Sequence, residues 1–125
     1  MGILDRFEQR VDRTVNGAFA KAFKSEVQPV ELAAALQREL DERAAIVSRG
    51  RTVVPNRFTI SLASEDFDRL AVYAETLQSE MAGLAREYAE EQRYTFLGTV
   101  SVHMHLADHL DPGIFRVTSE AKAAV

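Results

Sequence analysis

SEDFDRLAVYAETLQSEMAGLAREYAEEQ, residues 64–92, is the long stretch that keeps a helical period throughout. Phe67, Leu70, Ala74, Leu77, Met81, Leu84 and Tyr88 recur at three and four residues and so fall on one face. Ser64 stands where it can cap the first turn, and Glu65, Asp66 and Asp68 suit the positive end of the helix dipole. A helix of this length spans about 40 Å, roughly the width of a small domain, which leaves room for a bend near Val72 or Gly83. β-rich runs stand on both sides of it. Its apolar stripe is therefore expected to lie across a sheet.

Working back toward the N-terminus, residues 3–23 form an amphipathic helical pattern. Leu4, Phe7, Val11, Val15, Ala18, Phe19, Ala22 and Phe23 lie on one side, with Asp5, Arg6, Glu8, Arg10, Asp12 and Arg13 on the other. Bulky aromatics on the apolar side mark it as core, and Gly17 is a weak point within it, costing up to about 1 kcal/mol against alanine. A connector ends at Pro29, a residue suited to the first turn of a helix because its missing N–H has no partner there in any case. Leu32, Ala33, Leu36, Leu40 and Ala44 then repeat as a second helix over residues 30–45. The pair is expected to pack as a helical hairpin.

Between this pair and the long helix, residues 48–51 break the pattern, and Pro55-Asn56 separates two β-rich runs, residues 52–54 and 57–63. A Pro-Asn step in that setting predicts a tight turn between antiparallel strands. Phe58, Ile60 and Leu62 alternate with Thr59, Ser61 and Ala63, giving one core face and one wet face. Beyond the long helix, residues 94–98 return to the sheet. Val100, Val102, Met104 and Leu106 then alternate with Ser101, His103 and His105. Pro112-Gly113 marks a turn before a last strand, residues 114–119. The order α-α-β-β-α-β-β predicts an α+β domain: a mixed four-stranded sheet covered by helices mainly on one face. Residues 1–119 form that single domain, and residues 120–125 are expected to fray.

Composition narrows the function. The chain has 125 residues, no cysteine and a net charge of −4. A single core is sustainable at this length, and thiol chemistry is excluded. The longest apolar run, residues 32–36, is far too short for a bilayer, and the first residues lack a signal-peptide core. A cytoplasmic protein without direct membrane insertion is expected. An acidic balance also argues against a dedicated nucleic-acid binder.

No catalytic, cofactor-binding or metal constellation emerges. The six glycines complete no phosphate-binding loop and no nucleophile elbow. His103, His105, Asp108 and His109 approach the H-x-H-x-D-H pattern of metallo-hydrolases but carry one residue too many before the aspartate. His103 and His105 read more simply as polar-face residues of a strand. The notable surface signal is basic: Arg49, Arg51 and Arg57 lie in a tract without an acid from Ala44 to Ser64. Guanidinium groups there can steer an acidic or phosphorylated partner, or pair with the acid-rich long helix.

Six short stretches occur in order: Gly2-Ile-Leu-Asp-Arg-Phe-Glu8, Val15-Asn-Gly-Ala-Phe-Ala-Lys-Ala-Phe23, Glu26-Val-Gln-Pro-Val-Glu-Leu32, Val54-Pro-Asn-Arg-Phe58, Tyr94-Thr-Phe-Leu-Gly98 and Gly113-Ile-Phe-Arg116. As a set they resemble the N-terminal domain of FhaA-type proteins, actinobacterial signalling proteins with a C-terminal forkhead-associated (FHA) module. The resemblance implies a domain without assigned catalysis, joined by a long linker to a phosphothreonine-binding module that this chain does not contain. It also implies a setting in Ser/Thr-kinase signalling linked to cell-wall synthesis and division. There the FHA module meets a membrane-associated partner bearing a phosphorylated pseudokinase domain. The expectation is a non-enzymatic adaptor domain that docks a protein partner, a second copy or its own missing module, with Arg49, Arg51 and Arg57 as candidate partner-binding residues. The alternative is an RNA-binding α+β domain using the same arginines, weakened by the lack of exposed stacking aromatics.

Overall fold

A computed structural model describes residues 2–14 and 27–123. Helix α1, Ile3–Thr14, buries Ile3, Phe7 and Val11, which its four-residue spacing sets on one face. The predicted continuation through Val15, Gly17, Phe19 and Phe23 lies outside the described residues. Helix α2, Pro29–Glu42, opens with Pro29 in its first turn, and the Glu31 carboxylate accepts the Gln28 N–H at 2.8 Å. It buries Leu32, Ala33, Leu36 and Leu40, and ends three residues before the predicted limit.

The long helical stretch is two helices, α3 (Ser64–Ala71) and α4 (Ala74–Gln92), so the bend falls at Val72. Ser64 does not cap. Ala63 holds the cap position and its carbonyl accepts the Phe67 N–H at 2.7 Å. The preceding strand fixes that phase, because the Leu62 carbonyl is taken by the Ala107 N–H and the helix starts at once after it. Asp66 does stand in the first turn of α3, as expected. It is fully buried, accepting from the Gly113 N–H at 2.7 Å and from Arg69 Nη2 at 2.6 Å, which ties the loop before the last strand to α3.

The strands form two three-stranded sheets among the described residues, not the single four-stranded sheet expected. The first joins β1 (Ala45–Ser48), β2 (Arg51–Val54) and β4 (Tyr94–Phe96) in the order β1-β2-β4, with β1 antiparallel and β4 parallel to β2. The second joins β3 (Arg57–Leu62), β5 (Ser101–Leu106) and β6 (Phe115–Glu120) in the order β5-β3-β6, with β5 parallel and β6 antiparallel to β3. The α+β class and the mixed pairing stand.

Two readings behind the smaller count are corrected. Residues 45–48, running from the expected helix end at 45 to the expected break at 48, are strand β1. Pro55-Asn56 is not a hairpin turn: β2 and β3 do not pair, and the chain passes through these residues from one sheet into the other.

That passage has a specific physical basis. Opposite Pro55 and Asn56, the neighbouring path needs four residues, 97–100, to go from β4 to β5. The mismatch leaves backbone groups without ladder partners, and Asn56, only 2% exposed, supplies them. Its backbone donates to the Glu120 carbonyl and accepts from the Ser101 N–H. Its Nδ2 donates to the Thr99 and Lys122 carbonyls at 3.0 Å each, and its Oδ1 accepts the Lys122 N–H at 2.7 Å. The chain therefore stays anchored past residue 120, where fraying was expected.

Helices α3 and α4 pack on β5, α2 packs on β6, and α1 packs on α4 and α2. The covered face of the second sheet carries Phe58, Ile60, Leu62, Val102 and Met104, all buried, with Phe115 and Val117 half-buried. Leu106, expected on this face, is exposed at the strand's end.

Candidate protein-interaction surface

Strands β1 and β2 close through Arg49-Gly50, where Gly50 takes the positive φ of 76° that a side chain would resist. The register slips between Ile46 and Ser48, so Val47 is an extra residue on β1. All four residues of β1 are exposed. Ile46 is 82% and Val47 57% accessible, although both are β-branched residues suited to a strand interior. Arg49 and Arg51 are exposed at the turn, and among the described residues no carboxylate pairs with either.

The root of this hairpin is held by hydrogen bonds. Asp41, near the end of α2, accepts the Tyr88 hydroxyl on Oδ2 and the Tyr94 hydroxyl on Oδ1, each at 2.6 Å. The two rings meet edge to face with centroids 6.3 Å apart. Burial and then the Asp41 hydrogen bond push the Tyr88 hydroxyl up to about 12; for Tyr94 the Asp41 bond comes first, then burial, with the same result of about 12. Tyr94 opposes Thr52 of β2, so this carboxylate ties α2, α4 and β4 together beside the strands that carry the hairpin.

Arg57 stands elsewhere. It follows Arg51 by six residues of nearly extended chain, roughly 20 Å away. Its side chain lies on the uncovered face of the second sheet, where Nη1 is 3.6 Å from Glu120 Oε1. With Thr59, Ser101, His103, Thr118 and Glu120 it lines a shallow polar groove of about 380 Å³. The fold therefore keeps Arg49 and Arg51 together and separates Arg57 from them. His103 and His105 share the uncovered face, and His109 lies in the loop beyond β5. Among the described residues no three histidine, aspartate, glutamate or cysteine side chains converge on a metal-sized site. The outward positions of this sheet (Arg57, Thr59, Ser61, Ser101, His103, His105, Arg116, Thr118 and Glu120) include no phenylalanine, tyrosine or tryptophan, and the rings among them are the two imidazoles.

The acidic face of α4 has its own cations. Arg6 Nε donates to Glu87 Oε1 at 3.2 Å, and Arg10 Nε donates to Glu80 Oε2 at 3.0 Å, so α1 rather than Arg49, Arg51 or Arg57 neutralises it. The spacing of Arg6 and Arg10 on one side of α1 carried that signal in the sequence. Which helix would meet them did not follow from it.

The sequence family described as the FhaA N-terminal domain matches residues 4–118. The chain belongs to that family. A curated relative, the FHA domain-containing protein FhaA of Mycobacterium tuberculosis (strain ATCC 25618 / H37Rv), is 30% identical over 114 residues. That match covers 91% of this chain and 22% of the relative, so the chain spans about a fifth of that protein's length. Among solved structures, that of the Rv0020c N-terminal region superposes with a TM-score of 0.75 at 28% identity, covering 84% of this chain and 80% of the other. The two chains thus share their overall fold. Among the described residues of this FhaA N-terminal domain, no helix is long and apolar enough to cross a membrane.

Proposed function

We propose that this FhaA N-terminal domain is a non-enzymatic protein-interaction module, an adaptor within an FHA-domain protein of Ser/Thr-kinase signalling linked to cell-wall synthesis and division. The observation that carries the reading is the β1–β2 hairpin, which displays Ile46, Val47, Arg49 and Arg51 on a root fixed by Asp41. Exposed apolar side chains in a row, rimmed by charge, are what a docking surface offers. In this reading the domain works in the cytoplasm, near a membrane-associated phosphorylated partner that the FHA module engages. RNA gains little support from the uncovered sheet face, which offers the imidazoles of His103 and His105 but no phenylalanine, tyrosine or tryptophan for bases to stack on.

The test is affinity capture from actinobacterial lysate with the domain as bait, beside Arg49→Ala/Arg51→Ala and Arg57→Ala variants. A protein held by wild type and lost with the hairpin variant supports an adaptor working through the hairpin. Loss with Arg57→Ala alone moves the surface to the uncovered sheet. Reproducible hydrolysis or group transfer by the purified domain, abolished by a point substitution, would overturn the reading. So would salt-sensitive RNA binding with no protein captured.

A further inference from the structure

We infer that the free edge of β1 is a strand-addition site for an extended acidic segment whose alternate residues are apolar. The inference rests on the interaction-module reading and names the partner's chemistry. Strand β1 ends the order β1-β2-β4, and among the described residues no strand pairs with its outer N–H and C=O groups. Such an edge is a template for another strand, and folded proteins ordinarily blunt it with charge, proline or a covering element.

The other edges here are blunted. Strand β5 has an outer backbone group engaged by a helix side chain, its Met104 N–H donating to Gln78 Oε1 of α4 at 2.9 Å. Strand β6 carries Arg116 and Glu120 along its length, and β4 is three residues long. Strand β1, Ala-Ile-Val-Ser, has no charge and no proline, and it exposes its two large apolar residues. Its bulge at Val47 is the single feature that shortens regular pairing.

Charge selects the occupant. The chain is acidic overall, at −4, yet residues 45–63 contain no acid, and Arg49 and Arg51 flank the edge without described carboxylate partners. An added strand would pair its backbone with β1, lay apolar side chains against Ile46 and Val47, and set carboxylates against the two guanidinium groups. A basic or phosphate-free neutral strand would gain only the first two contacts.

The experiment uses the whole chain and fluorescein-labelled octapeptides: one alternating valine with glutamate, one alternating valine with lysine, and the glutamate peptide with a central proline. Anisotropy reads binding, and amide hydrogen exchange reads residues 45–48. The glutamate peptide is expected to bind at least about tenfold more tightly than the lysine peptide and to slow exchange at β1. Proline is expected to abolish binding, and Arg49→Glu/Arg51→Glu to reverse the charge preference while leaving the circular dichroism spectrum unchanged. Binding without protection at β1, or unaffected by the charge reversal, would overturn the inference. So would no binding at all, or β1 protection that rises with protein concentration in the absence of peptide, which would mark a second copy as the occupant. A lysate partner still captured by the charge-reversed domain would sink strand addition while leaving the interaction-module reading intact.

Discussion

Replacing Asn56 with alanine removes three side-chain hydrogen bonds at the point where the two sheets meet: two donated to the Thr99 and Lys122 carbonyls and one accepted from the Lys122 N–H. Each contributes about 0.5–1.5 kcal/mol net, so the loss lies between about 1.5 and 4.5 kcal/mol. Thr99 and Lys122 are exposed residues whose freed groups regain water, which places the expected cost in the lower half, about 2–3 kcal/mol. In urea the midpoint should fall by about 0.7–3 M, for a slope of roughly 1–3 kcal/mol/M.

Asn56→Asp is the internal control. It keeps the acceptor, loses both donors and aims a buried carboxylate at two carbonyl oxygens. At neutral pH it should be worse than alanine. Its folded-state pKa lies above that of the unfolded chain, so the penalty shrinks as pH falls and the acid is protonated. A cost below about 1 kcal/mol for Asn56→Ala, or an Asn56→Asp protein indifferent to pH, would refute the assignment of the junction to this side chain.

Three further outcomes are expected. Arg93 ends α4 in the left-handed region, at φ 61° and ψ 39°. Arg93→Gly should therefore stabilise the domain by about 0.5–1 kcal/mol in thermal or urea unfolding, with no change in slope. Tyr88 and Tyr94, pushed up to about 12, should ionise well above the ordinary tyrosine value of about 10, read by tyrosinate ultraviolet absorbance, and Asp41→Asn should bring both down. Because their folded pKa is raised, the stability they contribute is fully present below pH of about 10 and is lost as pH rises toward about 12. Arg6→Ala/Arg10→Ala should cost about 1 kcal/mol at low salt, and the difference should shrink, without vanishing, near 1 M salt, which screens these half-buried ion pairs in part.

The elements with a strong period were legible in the sequence. The helical span of α3 and α4 and the inward faces of β3 and of β5 up to Met104 follow from spacing, whereas length allowed a bend at either Val72 or Gly83 and did not choose between them. What local pattern could not show was pairing between distant residues. Ala44, Ala45, Ile46 and Val47 continue the apolar run of α2, and β1 is exposed on all four residues, so it lacks the alternation that announces a half-buried strand. Pro55-Asn56 carries a turn signal, but the partners that decide its role, Thr99 and Lys122, lie far along the chain. The same limit applies to the candidate site. Three arginines in one acid-free tract were visible; that β2 carries Arg57 away from Arg49 and Arg51, onto another sheet, depends on strand direction.

The junction has a consequence for how uniquely the second sheet is aligned. Four residues facing two amount to a two-residue offset between the parallel pairs. Side chains alternate with a period of two, so sliding β5 by that amount would keep every apolar residue facing inward. Phe58 would then meet Val100, Ile60 would meet Val102 and Leu62 would meet Met104, in place of Val102, Met104 and Leu106. Hydrophobic patterning is degenerate between the two alignments. Asn56 breaks the degeneracy, since its amide matches the Thr99 and Lys122 backbone in only one of them. A single polar side chain thus acts as the index mark of the sheet, and its loss should appear as a second set of β5 resonances as well as a lower midpoint.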